Sequence, residues 1–145
     1  MKGVFLDTSI LLEYFKGNPK AKDILLRLMD SDVVLFINPI VFSEVVYLLL
    51  GFYSGISPRS LKGKPEKLPQ KIDLVFETLE EYAFVELGEK TSHIAKDLIR
   101  KYAMLPNDAL ILATCMEHGF SLAALDEDFK VPAEEEGVQL IGMRA

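Results

Sequence analysis

The chain opens on an apolar run without alternation, Val4-Phe5-Leu6, set between Lys2-Gly3 and Asp7. Such a run marks a short strand buried on both faces, as in a parallel sheet. Thr8 or Ser9 is placed to cap a helix from Ile10 to about Lys16, which Gly17-Asn18-Pro19 ends. Within Lys20–Asp30, residues Ile24, Leu25, Leu28 and Met29 fall on one helical stripe. Val33 to Ile37 is a second β-type run. Asn38 and Pro39 then supply an N-cap and a first helical residue for a helix to about Tyr53.

Five breakers (Gly55, Pro58, Gly63, Pro65 and Pro69) predict a mobile connection over residues 54–70. A helix resumes from Gln70 to Tyr82, followed by a short strand at Phe84 to Leu87. Glu89 to Tyr102 reads as an amphipathic helix with Ile94, Leu98 and Ile99 inward. Pro106 starts a further helix, ended by Gly119, and Ser121 to Leu125 and Val138 to Ile141 are the last strands. Strands alternating with helices predict the α/β class: one domain over residues 1–145, three α/β/α layers, and a central, mostly parallel sheet.

Composition narrows this picture. Half the residues are hydrophobic, which excludes a disordered chain. A single Cys excludes a disulfide scaffold and a Cys-based zinc cluster. With no secretory pattern in the opening residues, a reducing compartment, the cytoplasm, is expected. Val33 to Ile56 carries one charge, but Asn38-Pro39 interrupts it and Glu44 would sit near the centre of what is left. No membrane span is therefore expected.

The net charge of −6 argues against a broadly basic nucleic-acid surface. The charge is unevenly spread, however. Residues 57–73 hold five basic groups against two acidic ones, and residues 74–145 are strongly acidic. Arg59, Lys62, Lys64, Lys67 and Lys71 form this basic island, read as a solvated loop or as a contact for an RNA backbone.

Four carboxylates stand out by position. Asp7 follows the first strand, and ligands of open parallel sheets bind beyond the strands' carboxyl ends. Its plainer role is helix capping, for which Thr8 and Ser9 also serve. Glu44 is the single charge on a helix otherwise apolar nearly all round, which should be buried, so it needs a cation, a metal or a proton. Asp108 lies in the first turn after Pro106, where a helix N-terminus also favours an acid. Asp126 ends a later strand as Asp7 ends the first, with Asp128 two residues on. Acids converging in this way raise one another's pKa and attract a hard divalent cation. Oxygen ligands without His or Cys favour Mg²⁺ or Mn²⁺, and with them phosphoryl transfer or phosphodiester hydrolysis.

Phe-Leu-Asp7-Thr-Ser-Ile-Leu, Ser43-Glu44-Val, Asn107-Asp108-Ala-Leu-Ile-Leu-Ala-Thr and Leu125-Asp126-Glu-Asp128-Phe129 occur in that order. Together they resemble the PIN-domain ribonucleases, including the VapC-type toxins of toxin–antitoxin modules, over nearly the whole chain. The resemblance implies an α/β/α fold and Mg²⁺- or Mn²⁺-dependent endonucleolytic cleavage of RNA. It also implies an antitoxin partner and a homodimer. By motif, Asp7, Glu44, Asp108 and Asp126 match the acidic site, with Asp7, Asp108 and Asp126 on the metal and Asp128 as an accessory acid. The chain departs from many such proteins at Ala124, where a Thr or Ser hydroxyl is usual two residues before Asp126.

Two other readings compete. A haloacid-dehalogenase-like phosphatase also uses an Asp after its first strand, but wants a second acid where this chain has Ser9. A catalytically weakened PIN-like module binding RNA or protein would be marked by Ala124. His93 and His118 are expected on the surface, Cys115 in the core, and Glu134-Glu135-Glu136 in a solvated turn. Leu11, Leu12, Phe15 and the Phe52-Tyr53 helix end are expected to supply apolar surface for the homodimer.

Overall fold

A computed structural model describes residues 2–143. Its centre is a five-stranded sheet, ordered β3-β2-β1-β4-β5, in which every pairing is parallel. The strands are β1 (Lys2–Leu6), β2 (Val33–Ile37), β3 (Ala83–Phe84), β4 (Ser121–Ala123) and β5 (Leu140–Ile141). Consecutive Val4, Phe5 and Leu6 are all buried, so helices cover both faces of β1 and the architecture is three-layered.

Among the described residues, seven helices connect and cover the strands: α1 (Thr8–Phe15), α2 (Pro19–Met29), α3 (Pro39–Ser54), α4 (Lys71–Glu80), α5 (Glu89–Tyr102), α6 (Pro106–His118) and α7 (Lys130–Glu135). Asn38 fixes the start of α3 as expected. Its Oδ1 accepts from the Val41 N–H, and its Nδ2 donates to Thr114 on α6, so a fully buried amide is satisfied twice. Gly55 closes α3 in the left-handed region at φ 73°, which a side chain would resist.

The structure corrects several expectations. The cap of α1 is Asp7, not Thr8 or Ser9, because the Asp7 carboxylate accepts the Ser9 N–H while its backbone stays extended. Helix α3 is not buried all round: Val41, Val45 and Leu49 face the core, while Phe42, Tyr47 and Leu48 are exposed. On α5 the inner stripe is Thr91, Ala95 and Leu98; Ile94 is half-buried and Ile99 lies at the surface. Thr91 tolerates burial because its hydroxyl donates to Glu117 on α6.

Residues 54–70 contain two short 3-10 turns, Pro58–Leu61 and Pro65–Lys67, and Leu61 is only 4% exposed, which pins the segment to the body. Leu11 is core, and Leu12, Phe15 and Tyr53 are half-buried; of the expected apolar surface only Phe52 is exposed, and it is joined by Phe42, Tyr47 and Leu48 on α3. Glu134 to Glu136 are not a free turn. They end α7, and Glu136 accepts from the Tyr102 hydroxyl and from Lys101 Nζ. Those two donors hold the Glu136 carboxyl below its usual range. Cys115 is buried, and both His93 and His118 are at the surface. Among the described residues no helix is long and apolar enough to cross a membrane.

Candidate active site

The parallel register brings the acids together. Leu6 pairs with Ala123, and the Asp7 N–H donates to the Ala123 carbonyl at 2.9 Å, so β1 and β4 end side by side. Asp7 and Asp126 therefore leave the sheet at the same edge, the one where open α/β sheets bind ligands. Asp126 then caps a 3-10 turn, Glu127–Phe129, by accepting the Asp128 N–H at 3.0 Å. Helix α6 begins with Pro106 and delivers Asp108 in its first turn to the same place.

One carboxylate oxygen each from Asp108, Asp126 and Asp128 lie within 4.8 Å of one another. Opposite ligands of an octahedral Mg²⁺ stand about 4.2 Å apart, from bonds of about 2.1 Å, so the trio closes on such a cation with small side-chain shifts. All the donors are hard oxygens, which suits Mg²⁺ or Mn²⁺ and not zinc. Asp7 is outside this trio. Its Oδ2 accepts from the Ser9 N–H at 3.0 Å and from the Ser9 hydroxyl at 2.5 Å.

Glu44 is held in place by two donors. The Thr8 hydroxyl donates to its Oε1 at 2.7 Å, and Asn107 Nδ2 donates to its Oε2 at 3.2 Å. The carboxylate thus ties the second turn of α3 to the starts of α1 and α6, the two helices that follow Asp7 and carry Asp108. Glu44 is half-buried and not enclosed as its apolar helix suggested, so two neutral donors suffice where a fully buried charge would demand a Lys or Arg.

The profile of the PIN domain matches residues 4–135. The chain belongs to the PIN domain family. This PIN domain is 33% identical over 129 residues to "Ribonuclease VapC2" of Methanocaldococcus jannaschii, covering 88% of this chain and 87% of that protein. It is 30% identical over 139 residues to "Ribonuclease VapC6" of the same organism, covering 88% and 90%. Among solved structures it resembles a chain of the "Toxin-antitoxin complex from Klebsiella pneumoniae". The TM-score there is 0.66 at 19% identity, over 98% of this chain and 99% of that one, a likeness of fold.

Electrostatics single out two acids of this PIN domain. Burial pushes the Asp7 carboxyl up to about 6, against the lowering pull of its Ser9 hydrogen bonds, and Asp126 adds a smaller upward push. Asp108 is also raised to about 6, first by desolvation and then by the charges of Asp7, Asp126, Glu44 and Asp128. Desolvation leads in both, so the expected strain comes more from lost water than from mutual repulsion.

All five acids picked from the sequence lie on elements that meet at this edge. The basic residues Arg59, Lys62, Lys64 and Lys67 are exposed on the 54–70 segment and enter none of these contacts. Three positioning groups went unread in the sequence: Thr8, Ser9 and Asn107. Thr8 and Ser9 have the look of caps, and Asn107 is hidden beside a stronger Asp; only the fold shows which carboxylate each one meets. Ser9 also bears on Ala124. Its oxygen accepts the Leu125 N–H at 2.9 Å, so a hydroxyl from α1 sits at the end of β4 although residue 124 has none.

Proposed function

We propose that the chain is a divalent-metal-dependent endoribonuclease hydrolysing RNA phosphodiester bonds, and the toxin half of a toxin–antitoxin pair. The observation that carries this reading is the convergence of Asp108, Asp126 and Asp128 oxygens within 4.8 Å at the ligand edge of the sheet. The relatives named ribonucleases support the substrate, and the fold shared with a toxin–antitoxin complex supports an antitoxin partner.

Asp108, Asp126 and Asp128 would hold Mg²⁺ or Mn²⁺, with Asp7 beside them as a further ligand. When bound, the ion supplies charge neutralisation at the scissile phosphate and a water of lowered pKa. The chain's own residues do the rest. Ser9 orients Asp7 and anchors the Leu125 backbone, which keeps β1 and β4 in register at the site. Thr8 and Asn107 hold Glu44 as an acceptor, and through it the first turn of α6 that carries Asp108. Arg59, Lys62, Lys64 and Lys67 offer cations to RNA phosphates beyond the site, where the acids repel them. The exposed Tyr47, Leu48 and Phe52 support a homodimer, which light scattering at high micromolar concentration reports directly.

The test is incubation with mixed RNAs in Mg²⁺, in Mn²⁺ and in chelator, with mapping of the cut ends. Cleavage that needs a cation and disappears in Asp126→Asn supports the reading; cleavage surviving chelation overturns it. A binding-only module would retain RNA affinity and cut nothing.

A further inference from the structure

Beside the carboxylates is a cavity of about 390 Å³, lined by Tyr102, Leu105, Val131 and Pro132 together with Asp108 and Asp128. Its size suits a small flat group, at the lower end of the roughly 300–1,000 Å³ of ligand sites. Two of its aliphatic walls are left in water: Leu105 is 71% exposed and Val131 61%. Folding gains little from side chains so placed, but a flat apolar ligand lying against both would remove them from solvent.

The other walls are set firmly. The Tyr102 hydroxyl donates to Glu136, which Lys101 also binds, so the ring is held by the end of α7. Ala103 also lines the cavity as the left-handed C-cap of α5, at φ 56° with its N–H donating to the Ile99 carbonyl, which fixes where the chain turns towards Leu105.

Charge decides what can enter. Apart from Asp108 and Asp128 the lining carries no charged side chain and no Lys or Arg, so away from the cation it offers a phosphate no partner and suits a neutral group with N–H donors. In an RNA substrate that group is a base. We propose that this cavity is a nucleobase subsite, taking the base beside the scissile phosphate between Leu105 and Val131 with its N–H edge towards Asp128. The inference rests on the ribonuclease reading and adds which part of the RNA lies next to the acids. Guanine is favoured, because its ring N–H and amino group stand side by side and offer two donors to the carboxylate oxygens not committed to the cation, where uracil offers one.

Two measurements test it. Wild type and the double variant Leu105→Ser/Val131→Ser are given one random-sequence RNA pool with Mn²⁺, and the cut ends are sequenced. Wild type is expected to favour guanine at one fixed position beside the cut. The variant, with an unchanged melting curve, loses that preference about tenfold, the size of one well-made apolar contact. A preference unchanged in the variant overturns the proposal. Separately, guanosine and uridine are titrated into the metal-free protein and followed by amide NMR. Guanosine should shift Ala103, Leu105 and Val131 at lower concentration than uridine, and the variant should lose those shifts. No shifts there, or equal responses to the two nucleosides, overturn it. Failure of the wild type to cut any RNA would remove the ribonuclease reading alone, since the titration needs no cleavage.

Discussion

Replacing Asp7 by Asn should stabilise the metal-free protein at neutral pH. Asp7 is only 3% exposed and its carboxyl is raised from 3.8 to about 6, chiefly by burial. A carboxyl raised on folding costs nothing below its unfolded value. The cost grows as pH climbs through the interval and is complete above about 6. That interval corresponds to about 3 kcal/mol, an upper bound because a strained site also relaxes. Asn keeps the shape, caps a helix as well as Asp does, and leaves an oxygen for Ser9, so little else changes. The melting temperature of Asp7→Asn in chelator at pH 7.5 should exceed wild type by several degrees, at about 2–4 °C per kcal/mol, and the gain should shrink to nearly nothing at pH 4. Saturating Mn²⁺ should narrow the difference, since cation at a hundredfold its Kd stabilises the wild type by about 2.7 kcal/mol and the variant less. A variant less stable than wild type in chelator at pH 7.5 would refute the reasoning.

Asn107→Ala and Thr8→Val each free one oxygen of Glu44, and each should lower the RNA cleavage rate about tenfold with the melting curve nearly unchanged, as loss of an orienting partner does. Gly3→Ala places a Cβ 2.5 Å from the Phe120 ring, which is stacked on Phe36, and should cost about 1–3 kcal/mol in urea unfolding at constant slope. The triple variant Lys62→Glu/Lys64→Glu/Lys67→Glu should weaken RNA binding and flatten its salt dependence, by about 0.7 in log–log slope for each single-strand phosphate that is no longer neutralised. An unaltered slope would remove the basic segment from the RNA path.

The order of elements was legible because the local signals are strong: unbroken apolar runs at Val4–Leu6 and Val33–Ile37, and Asn38-Pro39 and Pro106 at helix starts. The acids were legible because each sits at a strand end or a helix start, positions the class itself makes functional. What stayed hidden depends on side chains meeting across the fold. Nothing local says that Ser9 bonds both Asp7 and Leu125, or that Asn107 reaches Glu44. Helix α7 is six residues long, too short for an apolar period to show, and carries Pro132 in its first turn, where no N–H is needed. The exposed face of α3 was hidden for the opposite reason: an apolar composition announces burial, but only packing says which side is covered.

The chemistry of the cut ends is the most direct test of the central claim. A site that uses metal-activated water leaves a linear phosphomonoester and a hydroxyl, whereas attack by the RNA's own 2′-hydroxyl leaves a 2′,3′-cyclic phosphate and needs no metal. A defined RNA cut in Mn²⁺ should carry linear phosphate ends with no cyclic phosphate, and Asp108→Asn under the same conditions should produce none. Cyclic-phosphate ends, or equal cutting by wild type and Asp108→Asn, would contradict it.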